Sequence, residues 1–125
     1  MSALYSEVIL DHFRHPRNYG SLASPDTAFE DVNPICGDRI RIELEVRSGV
    51  IQAARFTGDG CAISIAAASI LTEMIVGSEA QAGDLIVEDQ LLSSLKGTIK
   101  RTRLNCALLP LRVFRSAISK YVARL

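Results

Sequence analysis

Arg39-Ile40-Arg41-Ile42-Glu43-Leu44-Glu45-Val46-Arg47-Ser48-Gly49-Val50-Ile51-Gln52-Ala53-Ala54-Arg55-Phe56-Thr57 decides the fold class of this chain. From Arg39 to Arg47, Ile40, Ile42, Leu44 and Val46 alternate with Arg41, Glu43 and Glu45. A period of two puts one set on a buried face and the other in water, the pattern of an antiparallel strand with one wet face. Ser48-Gly49 is a tight-turn pair, so Val50 to Thr57 returns as the partner strand. Gly58-Asp59-Gly60 then breaks the strand, and a helix is expected from about Cys61 to Val76, closed by Gly77.

Working outward toward the N-terminus, Ala28 to Asn33 is a weaker third strand, and Arg17 to Asp26 is a loop rich in Asn, Gly, Ser and Pro. Residues 4–14 place Leu4, Val8, Ile9 and Phe13 at helical spacing, and the helix stops at His15-Pro16, where proline restricts the residue before it. Toward the C-terminus, Gln81 to Lys96 reads as one or two short helices around Leu85, Ile86, Leu91, Leu92 and Leu95. Gly97 to Asn105 is a connector carrying Lys100, Arg101 and Arg103. A last helix runs from about Cys106 to Ala123 on Leu109, Val113, Ile118 and Val122, with Pro110 in its first turns, where proline is tolerated. The expected fold is α+β: a small antiparallel sheet of about three strands with helices packed on one face, as a single domain over residues 1–125.

Composition narrows the function. Of 125 residues, 48% are hydrophobic and 22% charged, which is ordinary for a globular domain. Fourteen Lys and Arg balance fourteen Asp and Glu, so no global field favours nucleic acid or an anionic membrane. The longest weakly polar run, Cys61 to Val76, is interrupted by Ser64, Ser69, Thr72 and Glu73 and is too short to span a bilayer. Residues 1–14 carry Glu7, Asp11, His12 and Arg14 and do not resemble a signal peptide. Three cysteines are an odd number, which argues against a secreted disulfide framework and for the cytoplasm.

Those cysteines sit at element boundaries. Cys36 lies in the turn Asn33-Pro34-Ile35-Cys36-Gly37-Asp38, Cys61 follows Gly58-Asp59-Gly60, and Cys106 opens the last helix. Helix N-termini favour thiolate over thiol, and thiolate is the form that binds metal and attacks sulfur. A lone cysteine is usually a small buried hydrophobe. Three of them, each beside glycine, proline or a helix start, make a shared metal site as good a reading as three buried thiols. Their separations, 25 and 45 residues, are not those of CxxC zinc knuckles. Asp38, directly after Gly37, reads on its own as a surface turn residue. Asp59 reads as a turn residue or helix cap. His12 and His15 read as solvent- or partner-facing with no ligand role, and Tyr5, Phe13 and Tyr19 as packing residues.

Asn33-Pro34-x-Cys36-Gly37-Asp38, Gly58-x-Gly60-Cys61-Ala62-Ile63-Ser64 and Arg103-x-x-Cys106 together resemble the IscU/SufU/NifU-type iron–sulfur cluster scaffolds. So does the opening Tyr5-Ser6-Glu7-Val8-Ile9-Leu10-Asp11-His12-Phe13 with His15-Pro16-Arg17-Asn18, and the likeness covers about residues 4–122. The resemblance implies a scaffold, not an enzyme, that assembles a transient [2Fe–2S] cluster from iron and from sulfur supplied by a cysteine desulfurase, and passes it to recipient apo iron–sulfur proteins. Its ligand set implies Cys36, Asp38, Cys61 and Cys106. Thiolates suit iron or zinc, while the carboxylate is a harder, weaker partner that favours release of the cargo. Arg103, where the family often has Lys or Arg, is the cation expected to steady the site's negative charge.

Two features depart from the IscU type. Asn105 stands where many members have His, and reads as a cap for the last helix. Ile99-Lys100-Arg101-Thr102-Arg103 stands in place of the chaperone-recognition motif Leu-Pro-Pro-Val-Lys. Both absences are more like the SufU type, whose members hold zinc and relay sulfur as sulfurtransferases; Cys36 and Cys106 are then the acceptor candidates. The 45-residue separation of Cys61 and Cys106 is IscU-like in length, since SufU-type chains usually carry an insertion there. A third reading, an interaction module with buried thiols and no metal, is separated from both by metal content.

Overall fold

The structure, a computed structural model, describes residues 5–85 and 88–125. Its elements are α1 (Glu7–Arg14), β1 (Thr27–Asn33), β2 (Asp38–Arg47), β3 (Val50–Asp59), α2 (Ala62–Ile75), α3 (Glu88–Ser94) and α4 (Leu104–Ala123), with 3-10 turns at Ala80–Leu85 and Arg101–Arg103. The sheet is antiparallel in the order β1-β2-β3. The expected Leu4 and Ile86 positions lie outside the described residues.

The hairpin behaves as its alternation requires. Ile40, Ile42 and Leu44 are fully buried, and opposite them stand Gly58, Phe56 and Ala54. Ser48 and Gly49 both have positive φ (53° and 78°), the geometry of a two-residue turn whose twist matches the strands. Gln52 has no opposite number on β2, because the register shifts between Glu45 and Val46. That bulge returns Ile51 to the buried face beside Ala54 and Phe56; without it the alternation would aim Ile51 the other way.

The third strand is longer than its sequence signal, pairing from Thr27↔Leu44 to Asn33↔Asp38. Its inner face carries polar residues that find partners there: Thr27 Oγ1 donates to the Ala117 carbonyl of α4 at 2.8 Å. Helices cover this inner face only. α4 lies on β1 and β2, while α2 fits between β3, α1 and α4. Ala66, Ala67 and Ala68 are fully buried and let the neighbours approach α2 closely. The outer face is charged. Glu43, nearly buried there, accepts from Arg41 Nε (2.9 Å) and from the Leu22 N–H of the crossing loop (2.8 Å). The free edge of β3 is covered at both ends, by Asn18–Gly20 against Phe56 and by Gly77–Ala80 against Gly49–Ile51, which removes an open template for strand addition.

Several details differ from expectation. His12 does not face outward: its Nδ1 is 2.7 Å from Ser69 Oγ on α2, which also accepts the Arg17 N–H at 2.8 Å. Phe13 is 43% exposed rather than packed. Tyr19 meets Phe56 edge-on at 5.1 Å yet stays half exposed. The last helix starts two residues early, at Leu104, which makes Pro110 its seventh residue, beyond the first turn. Proline has no N–H, so the Cys106 carbonyl lacks its helical donor.

Gly58 is fixed by contact. A Cβ there would run into the Arg39 carbonyl oxygen and stand 3.0 Å from Ile40 Cδ1. Gly58→Ala is therefore expected to destabilise the fold by roughly 2 kcal/mol or more, read as a lower urea midpoint at unchanged slope.

Candidate metal centre

One end of the sheet gathers the three cysteines. The β1–β2 connection is tight: the Gly37 N–H reaches the Asn33 carbonyl at 2.8 Å, Gly37 has φ 75°, and Asn33 Oδ1 accepts the Ile35 N–H at 3.3 Å. This holds Cys36 at the exposed top of the loop, beside Ile35, which is 87% exposed. One residue after Gly37, Asp38 opens β2 with its side chain on the inner face, 1% exposed.

Asp38 is the pivot of the site. Its Oδ1 accepts the backbone N–H of Cys61 at 3.0 Å, tying the start of β2 to the N-terminus of α2. Its Oδ2 is buried and, among the described residues, finds no partner of ordinary hydrogen-bond geometry, only the neighbouring Cys106 thiol. A buried carboxylate oxygen left this way is costly unless something cationic meets it. Gly60 makes the approach possible, since a Cβ there would lie 2.7 Å from Asp38 Oδ1 and collide with Ser64 Oγ.

Cys61 is the N-cap residue of α2 but makes no side-chain cap bond; its sulfur lies 3.9 Å from Ser64 Oγ. Asp59 does not cap the helix either, and instead pairs on the surface with Arg39 at 3.0 Å. Cys106 is the third residue of α4 and fully buried. Its Sγ is 3.1 Å from Cys36 Sγ, and Asn33 Nδ2 approaches it at 3.9 Å. All three cysteines are free thiols. Asn105 is exposed and does not cap α4, whose N-cap position is Arg103.

The sulfurs of Cys36 and Cys106 and a carboxylate oxygen of Asp38 all lie within 4.8 Å of one another. Cys61 stands outside that group and is joined to it through its backbone bond to Asp38. Two soft donors and one hard donor at one point, with the hard donor's second oxygen lacking an ordinary hydrogen-bond partner, fit a thiophilic cation such as iron or zinc. Arg103 is at the site too: its pKa is raised, first by hydrogen bonding to Cys106, then by the charges of Cys61 and Tyr5. Asn33, Gly60 and Ser64 shape the site, although their sequence positions carry only turn and helix-start signals. The one available hint was that Asn33 opens the Asn-Pro turn that leads into Cys36.

The expectation that a helix start lowers every thiol pKa fails at Cys106. Burial pushes this thiol well above its ordinary value, and the neighbouring Asp38, Cys36 and Cys61 push it in the same direction. Metal binding must therefore expel a proton from Cys106 throughout the neutral range. Apparent zinc affinity therefore rises with pH, by about tenfold per unit between roughly pH 6 and 8 from this thiol alone. Competition titrations against a chelator of known pH dependence measure that slope.

Comparison with known proteins agrees with this geometry. Residues 4–125 match the family described as NifU-like N terminal domain. The zinc-dependent sulfurtransferase SufU of Bacillus subtilis is 42% identical over 80 residues, 63% of this chain and 53% of that protein. The iron–sulfur cluster assembly scaffold protein IscU 1 of Archaeoglobus fulgidus is 34% identical over 118 residues, covering 94% of this chain and 76% of that one. In fold, the N-terminal NifU-like protein from Brucella abortus superimposes with a TM-score of 0.81 at 18% identity, over 98% of this chain and 97% of its own. Among the described residues no helix is long and apolar enough to cross a membrane. With the match running through the cysteine-bearing turn and both cysteine-bearing helix starts, the chain belongs to the NifU-like N-terminal domain family.

Proposed function

We propose that this chain is a scaffold on which iron–sulfur clusters are assembled and from which they are passed on. The observation that carries the reading is the donor set itself: Cys36, Asp38 and Cys106 at one point, with a buried Asp38 oxygen that lacks an ordinary hydrogen-bond partner. Cys61, held beside them by the Asp38–Cys61 bond, completes a set of three thiolates and one carboxylate for the cargo. A cluster bound by four thiolates suits permanent electron transfer; one carboxylate in the set suits release. Cargo sulfur comes from a cysteine desulfurase, recipients are apo iron–sulfur proteins, and the working compartment is the cytoplasm. Anaerobic incubation with ferrous iron, cysteine and a desulfurase tests this. Visible absorbance of a [2Fe–2S] chromophore on the protein, transferable to an apo-ferredoxin, is expected; no chromophore in the presence of an active desulfurase contradicts it.

A second reading is favoured by the match to the Bacillus sulfurtransferase and by the position of Arg103: zinc resides in the site and a cysteine relays sulfur. Zinc would then be held by the same residues and supply a Lewis-acidic charge that keeps thiols deprotonated. Exposed Cys36 is the acceptor a partner's persulfide reaches first; buried Cys106 is not reachable from outside without movement. In either reading Arg103→Ala is expected to slow desulfurase-dependent sulfur transfer by about tenfold or more while leaving calorimetric binding to the desulfurase within about twofold, because it acts on the Cys106 sulfur more than on the docking surface. Unchanged transfer would make Arg103 a solvated surface cation.

A further inference from the structure

The two sulfurs of the site that touch differ in access. Cys36 is exposed on its loop, whereas Cys106 is fully buried beneath it, with the sulfurs 3.1 Å apart and both thiols free. A disulfide needs about 2.05 Å, so closing the gap takes roughly 1 Å of sulfur movement. The Cys36 side chain, on an exposed loop, has the freedom to supply it. Exchange between sulfurs proceeds by attack of one on the next, and the sulfur Cys106 faces is Cys36 Sγ itself.

We propose that Cys106 is the resolving thiol for a sulfur carried on Cys36: it attacks Cys36 Sγ, closes a Cys36–Cys106 disulfide and expels the outer sulfur as sulfide. This rests on the reading of exposed Cys36 as the first sulfur acceptor, applied to the chain before it binds metal. The bond formed joins the two Sγ atoms, and the bond broken is that between Cys36 Sγ and the outer sulfur. The outer sulfur takes the bonding pair and the Cys106 proton and leaves as hydrogen sulfide. Cys106 is oxidised and the outer sulfur is reduced, so the step needs no external electron donor. An external thiol reductant then restores the dithiol. Negative charge develops on the departing outer sulfur, and the Cys106 proton moves to it as the new S–S bond forms. The outcome is chemically useful, because sulfur arrives at a persulfide's oxidation level and a cluster requires sulfide. The step belongs to the metal-free protein, since a bound cation engages both sulfurs as ligands.

The test uses metal-free full-length protein under anaerobic conditions. One equivalent of inorganic tetrasulfide is added, excess is removed, and peptides are mass-mapped after acid quenching at intervals. The Cys36 peptide is expected to gain one sulfur and then convert to a Cys36–Cys106 crosslink, with about one sulfide released per crosslink. In Cys106→Ser the added sulfur is expected to persist on Cys36 about tenfold longer or more. Equal persistence in both proteins, or a crosslink to Cys61, overturns the proposal. A second arm needs neither variant nor sulfur loading: the thiol oxidant diamide should give the Cys36–Cys106 link as the main product, and a different main product overturns it. Zinc binding measured on the same samples reports separately on the scaffold reading. Failure of Cys36 to take up sulfur overturns both this step and the acceptor role of Cys36, while intact zinc binding leaves the metal site standing.

Discussion

Cys106→Ala is expected to lower zinc and ferrous-ion affinity by more than about a hundredfold while leaving the domain folded. Losing a residue that merely orients a metal ligand costs about ten- to a hundredfold, so losing a ligand must cost more. Cys106 contributes more than a sulfur atom, because its Sγ stands 3.1 Å from that of Cys36 and helps hold it in place. The structural penalty is small by comparison. Deleting one buried sulfur leaves a methyl-sized void, which costs on the order of 1 kcal/mol. Chelator competition reads the affinity and urea unfolding of the metal-free protein reads the fold. An affinity within a few-fold of wild type would remove Cys106 from the ligand set.

Asp38→Ala is expected to act in the opposite direction on cargo lifetime, although it too deletes a proposed ligand. The carboxylate is the hard, exchangeable member of a soft set, and its loss is expected to lengthen the decay of an assembled cluster, on the order of tenfold, and to slow transfer to an apo-ferredoxin in proportion. Two effects on the fold oppose each other. The Cys61 N–H loses its acceptor, a cost of about 1–3 kcal/mol, while a buried oxygen with no ordinary hydrogen-bond partner disappears. Stability therefore changes less than lifetime does. Equal or faster decay in the variant would take Asp38 out of the release step.

Much of the molecule was legible in the sequence, for reasons that can be stated residue by residue. The hairpin was readable because Ile40, Ile42 and Leu44 alternate with charges and because Ser48-Gly49 allows positive φ at both turn positions. The bulge at Gln52 was not, since nothing in Ile51-Gln52-Ala53-Ala54 announces which residue is extra; only pairing with β2 decides it. β1 was underestimated because the polar residues on its inner face, Thr27 and Asn33, satisfy themselves against α4 and the cysteine loop, a tertiary effect with no local signature. The four proposed ligands came from the resemblance carried by the motifs around Cys36, Cys61 and Cys106. The structure brings Cys36, Asp38 and Cys106 to one point and sets Cys61 beside them. What sequence misjudged was Cys106. A helix-start rule favours thiolate, but the residue lies under the sheet end, where burial and a carboxylate outweigh the helix dipole. The role of His12 was missed for a similar reason, because its partner Ser69 is 57 residues away.

His12 offers a check on that packing. Its pKa is lowered, first by burial and then by the Arg17 charge. In the window below its unfolded value of about 6.5, the unfolded chain takes up a proton that folded His12 resists, so stability should fall on acidification through that window. His12→Gln should flatten this part of the pH profile in urea unfolding, and an unchanged profile would place His12 in solvent.

X-ray absorption at the zinc edge of protein loaded with one equivalent of zinc tests the central claim most directly. A site built from Cys36, Asp38, Cys61 and Cys106 gives three sulfur scatterers at about 2.3 Å and one oxygen at about 2.0 Å. A shell of nitrogen and oxygen alone, or one with a single sulfur, would contradict it.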